Sequence, residues 1–407
     1  MSSLQKTIMK SRLPPMAPNS RFGKRMAMRK NDYTPVEWNK YFEKFTDVRV
    51  ESGKFRIYML GSEGPVLFLL HGGGLSALGW SLFAVSNMNV NLNYFGELLK
   101  DKSECITKMV KCRVVAMDLR GHGSTKTNDE FNLSAETLSK DTGDVIQELY
   151  GDESPPIILM GHSMGGAIAI HTAYKNYISN LIGLVVIDVV EGTAMDALSS
   201  MQSFLRGRPK TFVSLENAIE WCVRSGQVRN VESAKVSMPG QIINCETGDL
   251  AIEDISGYVP TPSTPFVQST VAPDQILEEN ENGENSVNEK FKAPKSEAPK
   301  PKYKWRIDLS QTETHWPGWF KGLSSLFLSC SVPKLLILAG IDTLDRELTV
   351  GQMQGKFQMQ VLPQCGHAVH EDVPDKVAEV LASFMTVSWL LSGVERVACE
   401  RRDVRVK

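Results

Sequence analysis

One serine of this sequence lies between glycines at the spacing that a catalytic nucleophile requires. The pattern is Gly161-x-Ser163-x-Gly165, with apolar residues at 157–160 before it and at 167–170 after it. The first run predicts a short buried strand and the second predicts a helix. A serine on such a tight turn lies in strained backbone with small neighbours, and its hydroxyl stands free beside a helix N-terminus. We therefore predict that Ser163 is a nucleophile.

A serine nucleophile needs a base that takes its proton, and two histidines near the end of the chain could supply it. His367 and His370 follow the last apolar run, residues 358–362, and Gly366 lets the loop between them turn sharply. In the fold that carries such a serine turn, the histidine comes last in chain order. We predict His367 as the base, with His370 as the alternative or as a supporting and packing residue.

The base needs an acid that orients it, and the residues alone leave two positions open. Asp342 follows the apolar run 334–339, which is the usual place in this kind of fold, and Asp345 comes shortly after it. Asp188 ends the run that follows the serine helix, so it lies beside the strand of the serine. Position in the fold slightly favours Asp342 at this point.

Two backbone N–H groups must stabilise the negative oxygen that forms when the serine attacks. Met164 directly follows the nucleophile and is expected to give one of them. The loop His71-Gly-Gly-Gly74 follows the apolar run 66–70, and its glycines let the backbone approach a substrate closely. We predict the N–H of Gly74 as the second donor. The later loop 118–123 is expected to brace this region without reacting.

The elements that must position these residues alternate along the chain. Apolar runs typical of strands buried on both faces are followed by helical patterns, and the runs lie at 66–70, 113–117, 157–160, 184–188, 334–339 and 358–362. Ser134 is expected to cap a helix that ends near Tyr150, and Pro374 to begin one that ends at Met385. This alternation predicts an α/β fold with a doubly wound, mostly parallel sheet.

Two interruptions set the predicted domain boundaries. Residues 191–330 are largely helical in pattern and are expected to form a lid, within which 248–303 carry prolines, an acidic run and a Lys/Pro tract that predict a disordered loop. Residues 85–110 form an unusually long, asparagine-rich connection. The remaining predicted parts are a disordered basic arm at 1–33, a core in two parts at 34–190 and 331–386, and a basic tail at 387–407.

The composition excludes several classes of protein. The chain has 407 residues, of which 42% are hydrophobic and 23% charged, and its formal net charge of −2 does not favour a nucleic-acid partner. No apolar run reaches the roughly 18 residues of a membrane span, and the basic N-terminus lacks the apolar stretch of a signal peptide. The seven scattered cysteines are typical of reduced thiols in the cytoplasm or nucleus. We expect no metal, no organic cofactor and no membrane association.

The segments around these residues, taken together, resemble one family. The sequences at 161–169, 186–198, 204–209, 316–320 and 351–372 are similar to those of the protein phosphatase methylesterases, which belong to the α/β-hydrolase superfamily. The similarity runs from about residue 34 to residue 385. It excludes the long connection and the lid loop.

The resemblance implies an α/β-hydrolase fold with a helical lid insertion and a serine carboxylesterase activity. Members of the family remove the methyl ester from the C-terminal leucine of the type 2A protein phosphatase catalytic subunit, which is thus the expected substrate and partner. Their acid is the aspartate of an Ile-Asp-Val-Val-Glu-Gly segment, so the expected acid moves from Asp342 to Asp188. Two alternatives stay open, a small-molecule carboxylesterase and a non-catalytic scaffold that binds the phosphatase.

Overall fold

The computed structural model describes residues 32–84, 106–256, 300–340 and 344–392. Its strands are β1 Lys44–Val50, β2 Gly53–Leu60, β3 Val66–Leu70, β4 Arg113–Met117, β5 Lys126–Thr127, β6 Ile157–His162, β7 Leu181–Ile187, β8 Thr211–Phe212, β9 Ile242–Asn244, β10 Tyr303–Trp305, β11 Lys334–Leu338 and β12 Gln358–Val361.

Helices connect these strands along most of the described chain. The α-helices are α1 Ser81–Ala84, α2 Ile106–Met109, α3 Ala135–Tyr150, α4 Met164–Tyr174, α5 Glu191–Gly207, α6 Leu215–Arg224, α7 Val231–Ser237, α8 Trp316–Phe320, α9 Leu323–Ser329, α10 Arg346–Met353, α11 Val369–Asp372 and α12 Pro374–Ser392. Short 3-10 helices lie at Trp38–Lys40, Ala77–Trp80, Gly151–Glu153, Met238–Gln241, Ala251–Asp254 and Leu309–His315.

The main sheet has nine strands and is mostly parallel. Its order is β1-β2-β4-β3-β6-β7-β11-β12, with β5 beside β2. All neighbours from β4 to β12 pair in parallel, while the pairs that β2 forms with β1, β4 and β5 are antiparallel. Apolar runs predicted the central strands because both faces of such strands are covered. The predicted mostly parallel, doubly wound sheet is confirmed.

Two hydrophobic layers cover the two faces of this sheet. One contains the fully buried side chains of Trp80 and Phe384, and the other contains those of Trp316 and Trp319. The residues of β3 and β11 are buried along their whole length. The sheet is therefore a rigid platform whose loops can hold side chains in place.

The order in which the strands are placed across the sheet changes direction at β3. From β3 the chain moves to β4 on one side, and from β4 it passes to β6 on the other side of β3. In open parallel sheets a crevice forms at the carboxyl ends of two such strands. The glycine loop at 72–74 follows β3, and Ser163 follows β6, so both lie at this crevice.

Several boundaries differ from the sequence prediction. The last helix continues to Ser392 instead of ending at Met385, so the predicted basic tail at 387–407 begins within α12. The region of the predicted lid also contains a small antiparallel sheet in the order β8-β10-β9, in which Tyr303 lies between Phe212 and Asn244. Its strands have only two or three residues, too few to give a periodic pattern.

The predicted disordered loop at 248–303 is too long at both ends. Ile252 and Ile255 are buried, and the fully buried Tyr303 donates a hydrogen bond of 2.8 Å from its hydroxyl to Asp254 Oδ2. These apolar side chains anchor the ends of the loop to the core. Residues 257–299 lie outside the described residues.

Other predicted segments also lie partly or wholly outside the described residues. Of the long connection at 85–110, only 106–110 are described, and they begin with helix α2. Of the predicted arm at 1–33, only the last two residues are described, and Tyr33 packs against the core. Asp342 is outside the described part as well.

Candidate active site

Ser163 lies on a sharp turn between β6 and α4. Its backbone has φ 51° and ψ −120°, a conformation that a non-glycine residue adopts only where the surroundings enforce it. A Cβ atom on Gly161 would overlap the carbonyl group of Gly165, and one on Gly165 would overlap the carbonyl oxygen of His71. Glycines are thus required at both positions by contact with neighbouring backbone. The serine hydroxyl lies at the edge of the sheet where the carboxyl ends of the parallel strands are found.

Three of the predicted site residues are brought into one hydrogen-bonded chain. His367 Nε2 lies 3.0 Å from Ser163 Oγ, and His367 Nδ1 lies 2.7 Å from Asp188 Oδ2. Because the carboxylate can only accept, we assign the imidazole proton to Nδ1, which leaves Nε2 free to accept the proton of the serine hydroxyl. The arrangement is that of a nucleophile, a base and an orienting acid.

Asp188 is held as a carboxylate in a partly closed position. Its side chain is 13% exposed, and its second oxygen accepts a 2.9 Å hydrogen bond from the Ala339 N–H. Burial opposes ionisation, but the hydrogen bond from His367 and its electrostatic effect, together with the Ala339 N–H, lower the pKa of Asp188 below its usual value. The acid is therefore negatively charged at neutral pH and can stabilise an imidazolium.

A buried histidine supports the loop that carries His367. The ring of His162 is 1% exposed, and its Nε2 lies 2.8 Å from the backbone oxygen of His367. Burial lowers the pKa of His162 well below its usual value, as does the proximity of the ionisable rings of His370 and His367, so the ring is neutral. Since a carbonyl oxygen accepts, Nε2 carries the proton. This contact holds the histidine loop against the serine turn.

The alternative base and the nearby Asp345 lie elsewhere. His370 is fully buried, its ring centroid is 4.0 Å from that of Trp80, and burial lowers its pKa to about 3. Asp345 caps α10 by accepting from the Leu348 N–H at 2.8 Å, and it accepts from the Ser324 hydroxyl at 2.6 Å. His370 packs within the core, which matches the predicted supporting and packing role.

The two predicted oxyanion donors differ in availability. Met164 opens helix α4, and its N–H has no acceptor among the described residues. The N–H of Gly74, however, donates to His122 Nε2 at 2.8 Å, so the prediction for Gly74 does not fit this geometry. The N–H of Gly73 has no acceptor in the described part of the chain. A Cβ on Gly73 would lie 3.6 Å from Met164 Sδ, so Gly73 is close to the first donor.

The loop at 118–123 holds the glycine loop in place through His122. His122 Nδ1 lies 2.7 Å from the Arg120 carbonyl oxygen and therefore donates, which leaves Nε2 to accept from Gly74. Burial lowers the pKa of His122 to about 4, consistent with a neutral ring. Arg120 forms a buried ion pair of 2.8 Å with Asp141. The sequence could not show that His122 accepts a hydrogen bond from the Gly74 N–H, because the two residues are 48 positions apart and meet only in the folded chain.

A cavity of about 320 Å³ opens above Ser163, between the sheet edge and the lid. We call it the Ser163 cavity. Its wall is mainly apolar, with side chains from α5 and from residues 309–320: Met201, Phe204, Leu205, Leu309, Trp316, Trp319 and Phe320. Arg208 and Gln227 also line it, and no motif in the sequence predicted their position. The cavity can hold an apolar acyl group beside the nucleophile.

No group of three or more His, Cys, Asp or Glu side chains within the described ranges is arranged to hold a metal ion. No helix in the described part of the chain is both long and apolar enough to cross a membrane.

Comparison with known proteins identifies the family. The sequence model of the alpha/beta hydrolase family matches residues 67–380. A mouse protein named protein phosphatase methylesterase 1 is 54% identical over 401 residues, which are 95% of this chain and 95% of that protein. The chain belongs to the protein phosphatase methylesterase family. The human protein of that name is also 54% identical, over 402 residues and 95% of each chain. A probable methylesterase of Caenorhabditis elegans is 40% identical over 94% of this chain and 84% of its own.

Solved structures support the α/β-hydrolase fold. An E-2-(acetamidomethylene)succinate hydrolase superposes with a TM-score of 0.54 at 15% identity, over 84% of this chain and 100% of the other. An esterase of Mycobacterium tuberculosis gives a TM-score of 0.52 at 18% identity, over 84% of this chain and 92% of its own. The expected α/β-hydrolase fold is confirmed. By its family, this chain is a carboxylic ester hydrolase.

Proposed function

We propose that this protein removes the methyl ester from the C-terminal leucine of the type 2A protein phosphatase catalytic subunit, with Ser163, His367 and Asp188 as its catalytic triad. The observation that carries the proposal is the hydrogen-bonded chain from Asp188 through His367 to Ser163 at the floor of the Ser163 cavity. The identity of 54% to proteins named for this activity supports the substrate.

The first half of the reaction forms an acyl-enzyme. Ser163 Oγ attacks the ester carbonyl carbon while His367 Nε2 takes the hydroxyl proton, and Asp188 stabilises the resulting imidazolium. The negative carbonyl oxygen accepts hydrogen bonds from the N–H groups of Met164 and Gly73. When the intermediate collapses, the bond to the methoxy oxygen breaks, and His367 returns the proton to release methanol.

The second half of the reaction restores the enzyme with water. His367 takes a proton from a water molecule, and the hydroxide attacks the acyl carbon of the Ser163 ester. The same two N–H groups hold the oxygen again. Ser163 then leaves with the proton from His367, and the product is the peptide carboxylic acid, which loses its proton to solvent to become the carboxylate. The side chain of His367 is 60% exposed, which leaves room for water to reach it.

The shape of the Ser163 cavity suits a small leaving group and an apolar acyl group. Methanol carries one carbon, so nearly all contact with the substrate must be made by the acyl side. The wall formed by Leu205, Leu309 and Trp316 would surround a leucine side chain with apolar atoms. Burial of such a side chain contributes about 1.5–3 kcal/mol.

The test is to incubate the protein with methylated phosphatase and to follow the mass of the C-terminal peptide. We expect a loss of 14 Da (roughly one CH₂, the net change when an ester methyl is replaced by a proton), and we expect Ser163→Ala to slow it by about 10⁴-fold or more. Ser163→Ala should keep its melting temperature, because among the described residues the hydroxyl bonds only the exposed His367. Near-normal turnover by Ser163→Ala contradicts the triad.

The same assay separates the two alternative functions. Turnover of a small activated ester without loss of the phosphatase methyl group would indicate a small-molecule carboxylesterase. Phosphatase binding by the wild-type protein without turnover of either substrate would indicate a non-catalytic scaffold. The complete hydrogen-bonded chain at Ser163 argues against the scaffold.

We also propose that the protein works in the cytoplasm, the nucleus or both. Cys222, Cys245, Cys330 and Cys365 are free thiols, which supports a reducing compartment. Microscopy of the tagged protein would test this, and a signal confined to the secretory pathway would contradict it.

A further inference from the structure

Arg208 lies at the C-terminal end of lid helix α5 and lines the Ser163 cavity. Its Nη1 atom is 3.9 Å from the point where a Cβ on Gly74 would lie, so the guanidinium reaches the glycine loop. Its Cζ atom lies 4.1 Å from the ring centroid of Trp305, and the Trp305 indole donates a 2.7 Å hydrogen bond to the Pro209 carbonyl. The ring and this bond hold the guanidinium in one position.

Arg208 has no anionic partner within the described part of the chain. Its Nε atom is buried without an acceptor, and its side chain forms no ion pair there. Asp308 is near enough to raise the pKa of Arg208. The Asp308 carboxylate, however, accepts its hydrogen bonds from Ser310 and Gln311. The guanidinium therefore keeps unused donors at the cavity wall.

Arg208 is also the only Lys, Arg, Asp or Glu among the described residues that line the Ser163 cavity. Burial, partly offset by Asp308, lowers its pKa to about 10, so it remains cationic at neutral pH. A cation among apolar side chains that lacks an anionic partner is unfavourable, because the hydrogen bonds it loses to water are not replaced. A ligand that supplies an anion would remove this cost.

The chemistry of the site indicates which anion would fit. A carboxylate matches the planar guanidinium with two parallel hydrogen bonds and cancels its single charge. A phosphate dianion would leave one negative charge uncompensated in an apolar cavity. Because the leaving group is methanol, the carboxylate must belong to the acyl side of the substrate.

We propose that Arg208 is a specificity residue that binds the side-chain carboxylate of an acidic residue preceding the esterified residue of a peptide substrate. This inference rests on the proposed function, because it assumes a peptidyl ester in the cavity. It adds a requirement on the peptide that the triad and the oxyanion donors do not impose.

The test uses a series of neutral peptide methyl esters in which Asp replaces Asn at one preceding position at a time. For the wild-type protein we expect Asp at one position to raise kcat/KM over Asn by roughly 10- to 100-fold, the usual effect of hydrogen bonds to a charged group. Arg208→Gln should bring that ratio close to one, and Arg208→Lys should retain part of it. Equal kcat/KM for Asp and Asn at every position in the wild type overturns the proposal.

The matched control is Arg206→Gln on the same helix. Arg206 is exposed, bonds Gln202 at 3.2 Å and does not line the cavity, so its variant should keep the wild-type Asp preference. A loss of preference in both variants would show a general effect of positive charge and would overturn the role of Arg208. A phosphoserine peptide that is preferred over its Asp counterpart would overturn the assignment of a carboxylate.

A binding measurement separates this inference from the proposed function. The same peptides with a C-terminal amide should inhibit turnover of a small activated ester, and the Asp peptide should inhibit at roughly tenfold lower concentration than the Asn peptide. Failure to hydrolyse any peptide ester, with this inhibition intact, contradicts the proposed function alone. Equal inhibition by both peptides contradicts the role of Arg208 alone.

Discussion

The nucleophile and the acid of the proposed triad share an unusual backbone conformation. Ser163 and Asp188 both have φ 51°, and among the described non-glycine residues only Asn176 joins them at positive φ. Such a residue costs about 1–3 kcal/mol. Strand contacts offset the cost, because the Ser163 N–H donates to Ile187 at 2.9 Å and the Asp188 N–H to Ile337 at 2.8 Å. Strain here directs both side chains out of the sheet edge.

Asp188→Asn tests the acid. The amide would keep the shape of the side chain but would present a donor to His367 Nδ1, which favours the wrong tautomer. We expect kcat to fall by about 10⁴-fold, as in serine proteases with this change. The measurement is steady-state turnover of a small activated ester.

Asp342→Asn is the comparison for the acid, since Asp342 was the candidate that position in the fold favoured. Its loss should reduce kcat far less than the loss of Asp188. Reversed effects would assign the acid to Asp342 and would show that the resemblance to the family misled the choice.

The sequence could not decide between these two acids for a structural reason. β7 and β11 are neighbouring parallel strands, so residues that follow them emerge at the same edge of the sheet. Asp188 and Asp342 both follow such a strand, and apolar patterns give no distance between a carboxylate and a histidine. The choice came from the resemblance, and the 2.7 Å contact of Asp188 with His367 agrees with it.

Glu371 gives a pH-dependent prediction. It is fully buried four residues after His367, and its Oε2 accepts from the Ser233 hydroxyl at 2.8 Å. Burial raises its pKa to about 7, above the value of about 4.3 in an unfolded chain. Between these two values the folded state binds more protons, so the free energy of unfolding falls as the pH rises. The loss across this window is about 4 kcal/mol.

Glu371→Gln should remove this pH dependence, because an amide does not titrate. The melting temperatures of the variant and the wild type are measured between pH 5 and pH 8. The melting temperature of the variant minus that of the wild type should increase as the pH rises. Glu379→Gln serves as the control, since the Glu379 side chain is 45% exposed on α12. Parallel curves for the wild type and Glu371→Gln would show that Glu371 is already ionised in the folded protein.

At the scale of elements, the turn between β6 and α4 depends on close approach of backbone. Gly165 lies against the carbonyl groups of Leu70 and His71, which belong to β3 and the glycine loop. A side chain at this position would push apart the two strands that bound the crevice. The turn and the glycine loop are therefore one packed unit, although about 90 residues separate them in the chain.

Gly165→Ala should destabilise the protein by about 3 kcal/mol or more, because the added methyl group meets backbone that cannot move aside. Chemical denaturation measures this change. Gly318→Ala is the control, since a Cβ on Gly318 in α8 would meet no atom within 4 Å, and alanine favours a helix. Equal stability of the two variants would contradict the packing described for the turn.

At the scale of the whole molecule, the Ser163 cavity combines parts that the chain keeps far apart. The glycine loop, the serine turn and the histidine loop come from the sheet, while Arg208, Gln227 and Leu309 come from the lid. Motifs predicted the sheet residues because each motif is local. The lid residues could not be predicted, since their position depends on how helices without a motif pack over the sheet.

The ends of the predicted loop give a last prediction. Contacts between the flanks close the loop without help from 257–299: the Cys245 N–H donates to Lys302 at 2.8 Å, and Tyr303 bonds Asp254. Replacing 257–299 with a short Gly/Ser linker should leave the melting temperature and small-ester turnover nearly unchanged. Removing 248–303 also removes the buried side chains of Ile252 and Tyr303, which should cost at least about 3 kcal/mol. If the shorter deletion destabilises the protein as much as the longer one, residues 257–299 contribute to the folded core.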